Sequence, residues 1–149
     1  MKNKLIFTTI IFLLFITVST AQDYKLALGL RLSNEDATVN HSVSLKYFFS
    51  ESLATEALFT LINPAALGLL VEKHNPLGTT GIKWYYGGGL YAGFGGERRF
   101  GAQGVLGLDY KIATLPLNLS LDWKPELNFT KEFLFEPAAV GISARFTLK

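Results

Sequence analysis

From Tyr24 onward, apolar and polar residues alternate with a period of two, the spacing of an extended chain whose successive side chains point to opposite faces. The stretch LPLNLSLDWKPEL displays it most plainly. Leu117, Leu119, Leu121, Trp123, Pro125 and Leu127 share one face, and Asn118, Ser120, Asp122, Lys124 and Glu126 the other. Seven more segments follow the same rule. Their apolar faces are Tyr24 to Leu32 on the even positions; Val39, His41, Val43, Leu45, Tyr47 and Phe49; Leu53, Thr55, Ala57, Phe59 and Leu61; Leu67, Leu69 and Val71; Ile82, Trp84, Tyr86, Leu90, Ala92 and Phe94; Ala102, Leu106, Leu108, Tyr110 and Ile112; and Ala138, Val140, Ile142, Ala144 and Phe146. The pattern predicts eight strands of roughly 9 to 11 residues, the length a tilted strand needs to cross a bilayer.

A helix competes only at residues 53–72, where LATEALFTLINPAALGLLVE is long and apolar. Glu56 and the Asn63-Pro64 pair argue against it, because proline costs about 3 kcal/mol inside a helix and Asn-Pro favours a turn. Eight strands can close with the apolar face inward, as in a soluble carrier, or outward, as in a membrane barrel. The two faces choose the second. The polar face collects Lys25, Arg31, Lys46, Glu56, Glu72, Lys83, Asp109, Lys111, Asp122, Lys124, Glu126 and Arg145, together with glycines such as Gly87, Gly89, Gly93 and Gly107 that make room in a narrow bore. A lysine or arginine facing lipid at the bilayer midplane costs about 2 to 4 kcal/mol, and almost none falls on the apolar face. Aromatic residues on that face, including Tyr24, Tyr47, Phe49, Trp84, Tyr110 and Trp123, suit interfacial girdles.

The amino end fits export. Lys2 and Lys4 precede the apolar run LIFTTIIFLLFITV and the small residues Ser19-Thr20-Ala21, so residues 1–21 read as a cleaved signal peptide and 22–149 as one barrel domain. Without the signal, 12 basic and 12 acidic residues remain, which gives no pull toward nucleic acid. No cysteine is present, excluding disulfides, thiolate zinc sites and lipid attachment to cysteine.

In the last segment, Gly141, Ala144 and Phe146 of VGISARF resemble the glycine, hydrophobic and terminal aromatic spacing by which outer-membrane assembly machinery recognises a closing strand. The chain as a whole resembles small outer-membrane β-barrels of the OmpA-transmembrane and OmpX type. It is more closely similar to Bacteroidota barrel proteins that share runs like KWYYGGGLYAGF and GLDYKIATLPLNLSLDWKPELN, over roughly residues 67–146. The resemblance implies an all-β, eight-stranded antiparallel up-and-down transmembrane barrel in the bacterial outer membrane. It implies no activity and no catalytic residues.

Candidate chemistry is sparse. GGGLYAG lacks the following helix that a dinucleotide-binding loop requires. His41 and His74 are too few for a metal cluster, and their positions suit an interfacial and an exposed turn site. No serine, histidine and acid spacing marks a triad. The expected protein is therefore no enzyme and takes no cofactor or metal. It is a monomer with a closed interior in which Asp122, Lys124 and Glu126 pair with Lys111, Lys83 and Arg145, because buried charge is costly unless paired. Its role is structural or one of surface interaction. Loops at residues 34–38, 63–66, 95–100 and 128–136 display its contacts, and Arg98 and Arg99 touch lipopolysaccharide. Outer-membrane lipid and the barrel-assembly machinery are the expected partners. A narrow ion or solute channel and a soluble lipocalin-like carrier are the alternatives.

Overall fold

The computed structural model describes residues 24–34, 37–60, 64–78, 80–95, 99–130, 133–137 and 139–149. The expected signal peptide, Arg98 and Ala138 lie outside them. The described chain forms ten strand segments: β1 Leu26–Ser33, β2 Ser42–Phe48, β3 Leu53–Thr60, β4 Ala66–Pro76, β5 Ile82–Gly93, β6 Arg99–Lys111, β7 Leu117–Trp123, β8 Glu126–Asn128, β9 Leu134–Glu136 and β10 Val140–Leu148. Among the described residues there is no helix, and the described part of 53–72 divides into β3, ending at Thr60, and β4, beginning at Ala66.

The segments make eight staves of one antiparallel barrel. β1 to β6 pair in chain order, β7 and β8 both pair with β6 as the seventh stave, and β9 and β10 pair with β8 and β7 as the eighth. β10 then pairs with β1 from Leu26↔Leu148 to Ser33↔Gly141, which closes the cylinder. Among the described residues β1 to β8 and β10 are each paired on both sides, and β9 pairs with β8 alone.

The seventh stave is broken where the alternation looked most regular. Pro125 has no N–H to give a ladder, so pairing stops after Trp123 and resumes at Glu126. The gap is bridged by Gly104 N donating to the Pro125 carbonyl at 3.0 Å and Lys124 N to that of Ala139 at 2.7 Å. The expected loop at 128–136 accordingly begins and ends in paired strand, the β8–β9 hairpin. At the opposite end the β4–β5 turn uses Gly78 and Gly81 at φ 74° and 85°, values that a Cβ disfavours.

Burial settles which face is which. Leu30, Leu69, Leu121 and Ile142 are 50% or more exposed on the outer wall, whereas Lys46, Glu72 and Arg145 are fully buried within. Tyr24 and Val39 depart from the parity reading, since both are buried. Each lies outside a strand: β1 begins at Leu26 and β2 at Ser42, so period two no longer governs their direction. Gly107 lies on the inner face between outward Leu106 and Leu108, where a Cβ would stand 2.6 Å from the Tyr85 ring.

Candidate functional site: a charged bore

Inward positions of β2, β3, β4, β7 and β10 bring the ionic residues together. Arg145 Nη2 pairs with Glu56, its Nε donates to Ser44 Oγ at 2.6 Å, and its Nη1 donates to Ser120 Oγ at 2.8 Å. Ser44 Oγ donates to the same Glu56 oxygen at 2.5 Å. Lys46 Nζ stands 2.8 Å from Glu72 and 3.7 Å from Glu56, so it is shared between two carboxylates. Glu72 in turn meets His74 Nε2 at 2.9 Å, and His74 stacks on Tyr85 with ring centroids 4.8 Å apart. Asn118 links the other flank, accepting from Arg145 Nη1 at 3.3 Å and donating to Asp109 at 2.8 Å. A second pair joins Arg31 to Asp122 through two N–H groups, at 2.5 and 3.3 Å.

Nine of the twelve predicted lumen charges are buried here: Arg31, Lys46, Glu56, Glu72, Asp109, Asp122, Lys124, Glu126 and Arg145. Three are not. Lys25 is exposed, and Lys83 and Lys111 are only part-buried. All three sit at strand ends, where the bore opens and a long side chain reaches water. The expected pairing partners also differ. Asp122 takes Arg31, and Arg145 takes Glu56. Glu126 accepts the backbone N–H groups of Thr38 at 2.8 Å and Val39 at 3.0 Å. Lys83 donates to the Glu51 carbonyl at 3.1 Å, and Lys111 to those of Ile112 and Leu115 at 2.7 Å each. Among the described residues Lys124 Nζ has no hydrogen-bond partner.

His74 was expected beside an exposed turn. β4 runs on to Pro76, so His74 keeps the inward parity of Glu72 and is buried against Phe48 and Tyr85. His41 is half-buried and accepts the Ser33 N–H at 3.2 Å through Nδ1. Gly141 of the closing-strand motif points inward beneath the Arg31 guanidinium, which occupies the space a Cβ would need. Ala144 and Phe146 face outward. Arg99 is exposed at the start of β6.

Above the ionic residues lies a layer that parity had hidden. Val39, Leu58, Ala66, Leu70, Tyr85, Tyr91 and Val105 form one buried apolar cluster. Glu126 holds the Thr38 and Val39 backbone beside this cluster, which lies toward the β1–β2 and β3–β4 connections. The other end carries a cavity of about 380 Å³ lined by Tyr24, Lys25, Phe48, Phe49, Lys83, Asp109, Tyr110 and Lys111 among others. Among the described residues no group of three or more His, Asp or Glu is arranged to hold a metal ion. Comparison with protein-family models, curated proteins and solved structures returns no match.

Proposed function

We propose that the protein is an integral outer-membrane β-barrel with a closed interior, serving a structural or surface-interaction role and catalysing no reaction. One observation carries the reading: the outer wall presents exposed leucine, isoleucine, valine and aromatic side chains around its circumference while the ionic side chains are buried within. Water would reward the reverse arrangement, since exposed apolar patches on soluble monomers rarely exceed a few hundred Å². Hydrocarbon rewards this one. Closure by β1 and β10 satisfies the backbone without water, as a bilayer core demands.

The apolar cluster around Val39 and Leu58 and the paired charges support a closed interior. With its amino end in the periplasm, the barrel directs the β1–β2, β3–β4, β5–β6 and β8–β9 connections outward, Arg99 among them, toward lipopolysaccharide. The short turns and both chain ends face inward. Assembly would pass through the machinery that reads Gly141, Ala144 and Phe146, and the barrel would function as a monomer.

Three measurements test this. Fractionation should place the protein with the outer membrane, and the unboiled sample should migrate differently from the boiled one on a gel; recovery in the soluble fraction without detergent overturns the membrane assignment. In planar bilayers the protein should give no stable steps. Stepwise conductance abolished by changing Lys124 or Asp122 would establish a channel instead.

A further inference from the structure

One strand departs from the rule that the rest of the outer wall obeys. The outward positions of β4 run Leu67, Leu69, Val71 and then Lys73, which is exposed between the buried Glu72 and His74. Every other charged strand residue among the described ones keeps the inward alternation. Lys73 pairs with Leu53, the first residue of β3, and with Tyr86 of β5, yet β4 runs on to Pro76. The β4–β5 hairpin therefore stands past the β2–β3 turn. Lys73 sits at the step between them, toward the end of the barrel that bears the chain termini.

An ammonium has three protons to place. Lys73 Nζ gives one to Ser52 Oγ of the β2–β3 turn at 3.0 Å, and the Ser52 carbonyl accepts the His74 N–H at 2.7 Å, which fixes that turn against β4. Glu51, the adjoining acid, lies exposed on the turn and is not ion-paired with Lys73. The acids outside the described residues are remote in the topology: Glu35, Asp36, Glu97 and Glu132 belong to connections at the opposite end, and Asp23 precedes the first stave, three staves from β4. Tyr86, across the rung from Lys73, projects from the same face with its ring stacked on Trp84 at 5.4 Å. One step further into the wall, Val71 lies opposite Gly88, where the nearest atom to an added Cβ is the Gln103 carbonyl oxygen at 3.4 Å. The wall is thus open and apolar directly beyond the ammonium.

We propose that this step binds one glycerophospholipid, its phosphodiester held by Lys73 Nζ and the Tyr86 hydroxyl and one acyl chain laid over Val71 and Gly88. The inference rests on the outer-membrane reading, under which Lys73 lies where headgroups give way to chains. A lysine stem there lies along apolar surface while its head reaches for polar groups, and a phosphodiester supplies two charged oxygens for the two protons left over. A neutral glyceride supplies no charged acceptor. A free phosphate ester leaves the apolar wall uncovered.

The experiment titrates the purified protein in neutral detergent with dioleoyl-phosphatidylglycerol, dioleoylglycerol and glycerol 3-phosphate separately, and reads bound ligand by native mass spectrometry. One phosphatidylglycerol per protein is expected, with dioleoylglycerol and glycerol 3-phosphate lost. K73Q should weaken the apparent Kd about threefold, the size of one exposed charge contact, and K73R should restore it. Lys73 is exposed, so K73Q keeps the fold, checked by its unboiled migration on a gel. Y86F should weaken binding by a similar factor and serves as the second variant. Equal retention of the neutral glyceride, retention of glycerol 3-phosphate alone, or an unchanged Kd in K73Q overturns the site. Recovery of the protein in the soluble fraction without detergent overturns the membrane reading instead, so the two failures are told apart.

Discussion

Two neighbouring layers of the bore solve the same problem by opposite means. On β3 and β4, Glu56 and Glu72 belong to the ionic layer, and two positions away, after Glu56 and before Glu72 on these antiparallel strands, Leu58 and Leu70 belong to the apolar one. In the first, space is filled by long side chains whose charges must find partners. In the second, it is filled by packing alone. Tyr85 belongs to both, its ring in the apolar cluster and beneath the Lys46 ammonium at 4.4 Å from centroid to nitrogen. The lesson is one of tolerance: an apolar layer loses stability in proportion to the volume removed, whereas an ionic layer fails when one member leaves the others unpaired.

The sharpest break of that contrast is Arg145→Ala. It takes the guanidinium from Glu56 and leaves that buried carboxylate with Ser44 and the more distant Lys46 ammonium, and removal of one partner of a buried pair costs about 3 to 5 kcal/mol. Urea unfolding in detergent, followed by tryptophan fluorescence, should show the loss; a change below 1 kcal/mol would mean the layer is wetter than its burial implies. Leu58→Ala should cost about 3 kcal/mol by the same assay, the ordinary range for a buried leucine. Glu126→Ala releases the two N–H groups that hold Thr38 and Val39, for a cost of about 2 kcal/mol. Its signature is local: limited proteolysis should cut the β1–β2 connection faster while the barrel stays intact. Lys124→Met should move stability least and in the other direction, gaining about 1 kcal/mol, because a buried ammonium with no hydrogen-bond partner is replaced by an apolar chain of similar length. A loss of 2 kcal/mol or more would show that Lys124 belongs to the ionic layer after all.

The staves and their inside-out polarity were legible because Leu28, Leu30 and Leu32, or Leu119, Leu121 and Trp123, recur at strict spacing with charged or small residues between. The pairing inside the bore was not. Parity places Arg145 inward but cannot say that Glu56, 89 positions away, lies across the lumen, because that depends on how far neighbouring strands are staggered. Leu58 and Leu70 carried a readable signal, since each interrupts the polar parity set by Glu56 and Glu72 in adjacent strands. His74 would have been found by extending β4 beyond Glu72. Tyr24 and Val39 gave no such sign, because the direction of a side chain just outside a strand is set by the turn and not by the alternation.

The contact between β1 and β10 sets a rule for how this molecule comes into being. β1 and β10 are spatial neighbours though more than a hundred residues apart, so β10 must be synthesised before the second edge of β1 can be covered. Until then an unpaired row of N–H and C=O groups invites pairing with any other extended chain. Shortening the chain before Val140 would therefore do more than remove one stave: it would leave two open edges and a half-built product prone to self-association.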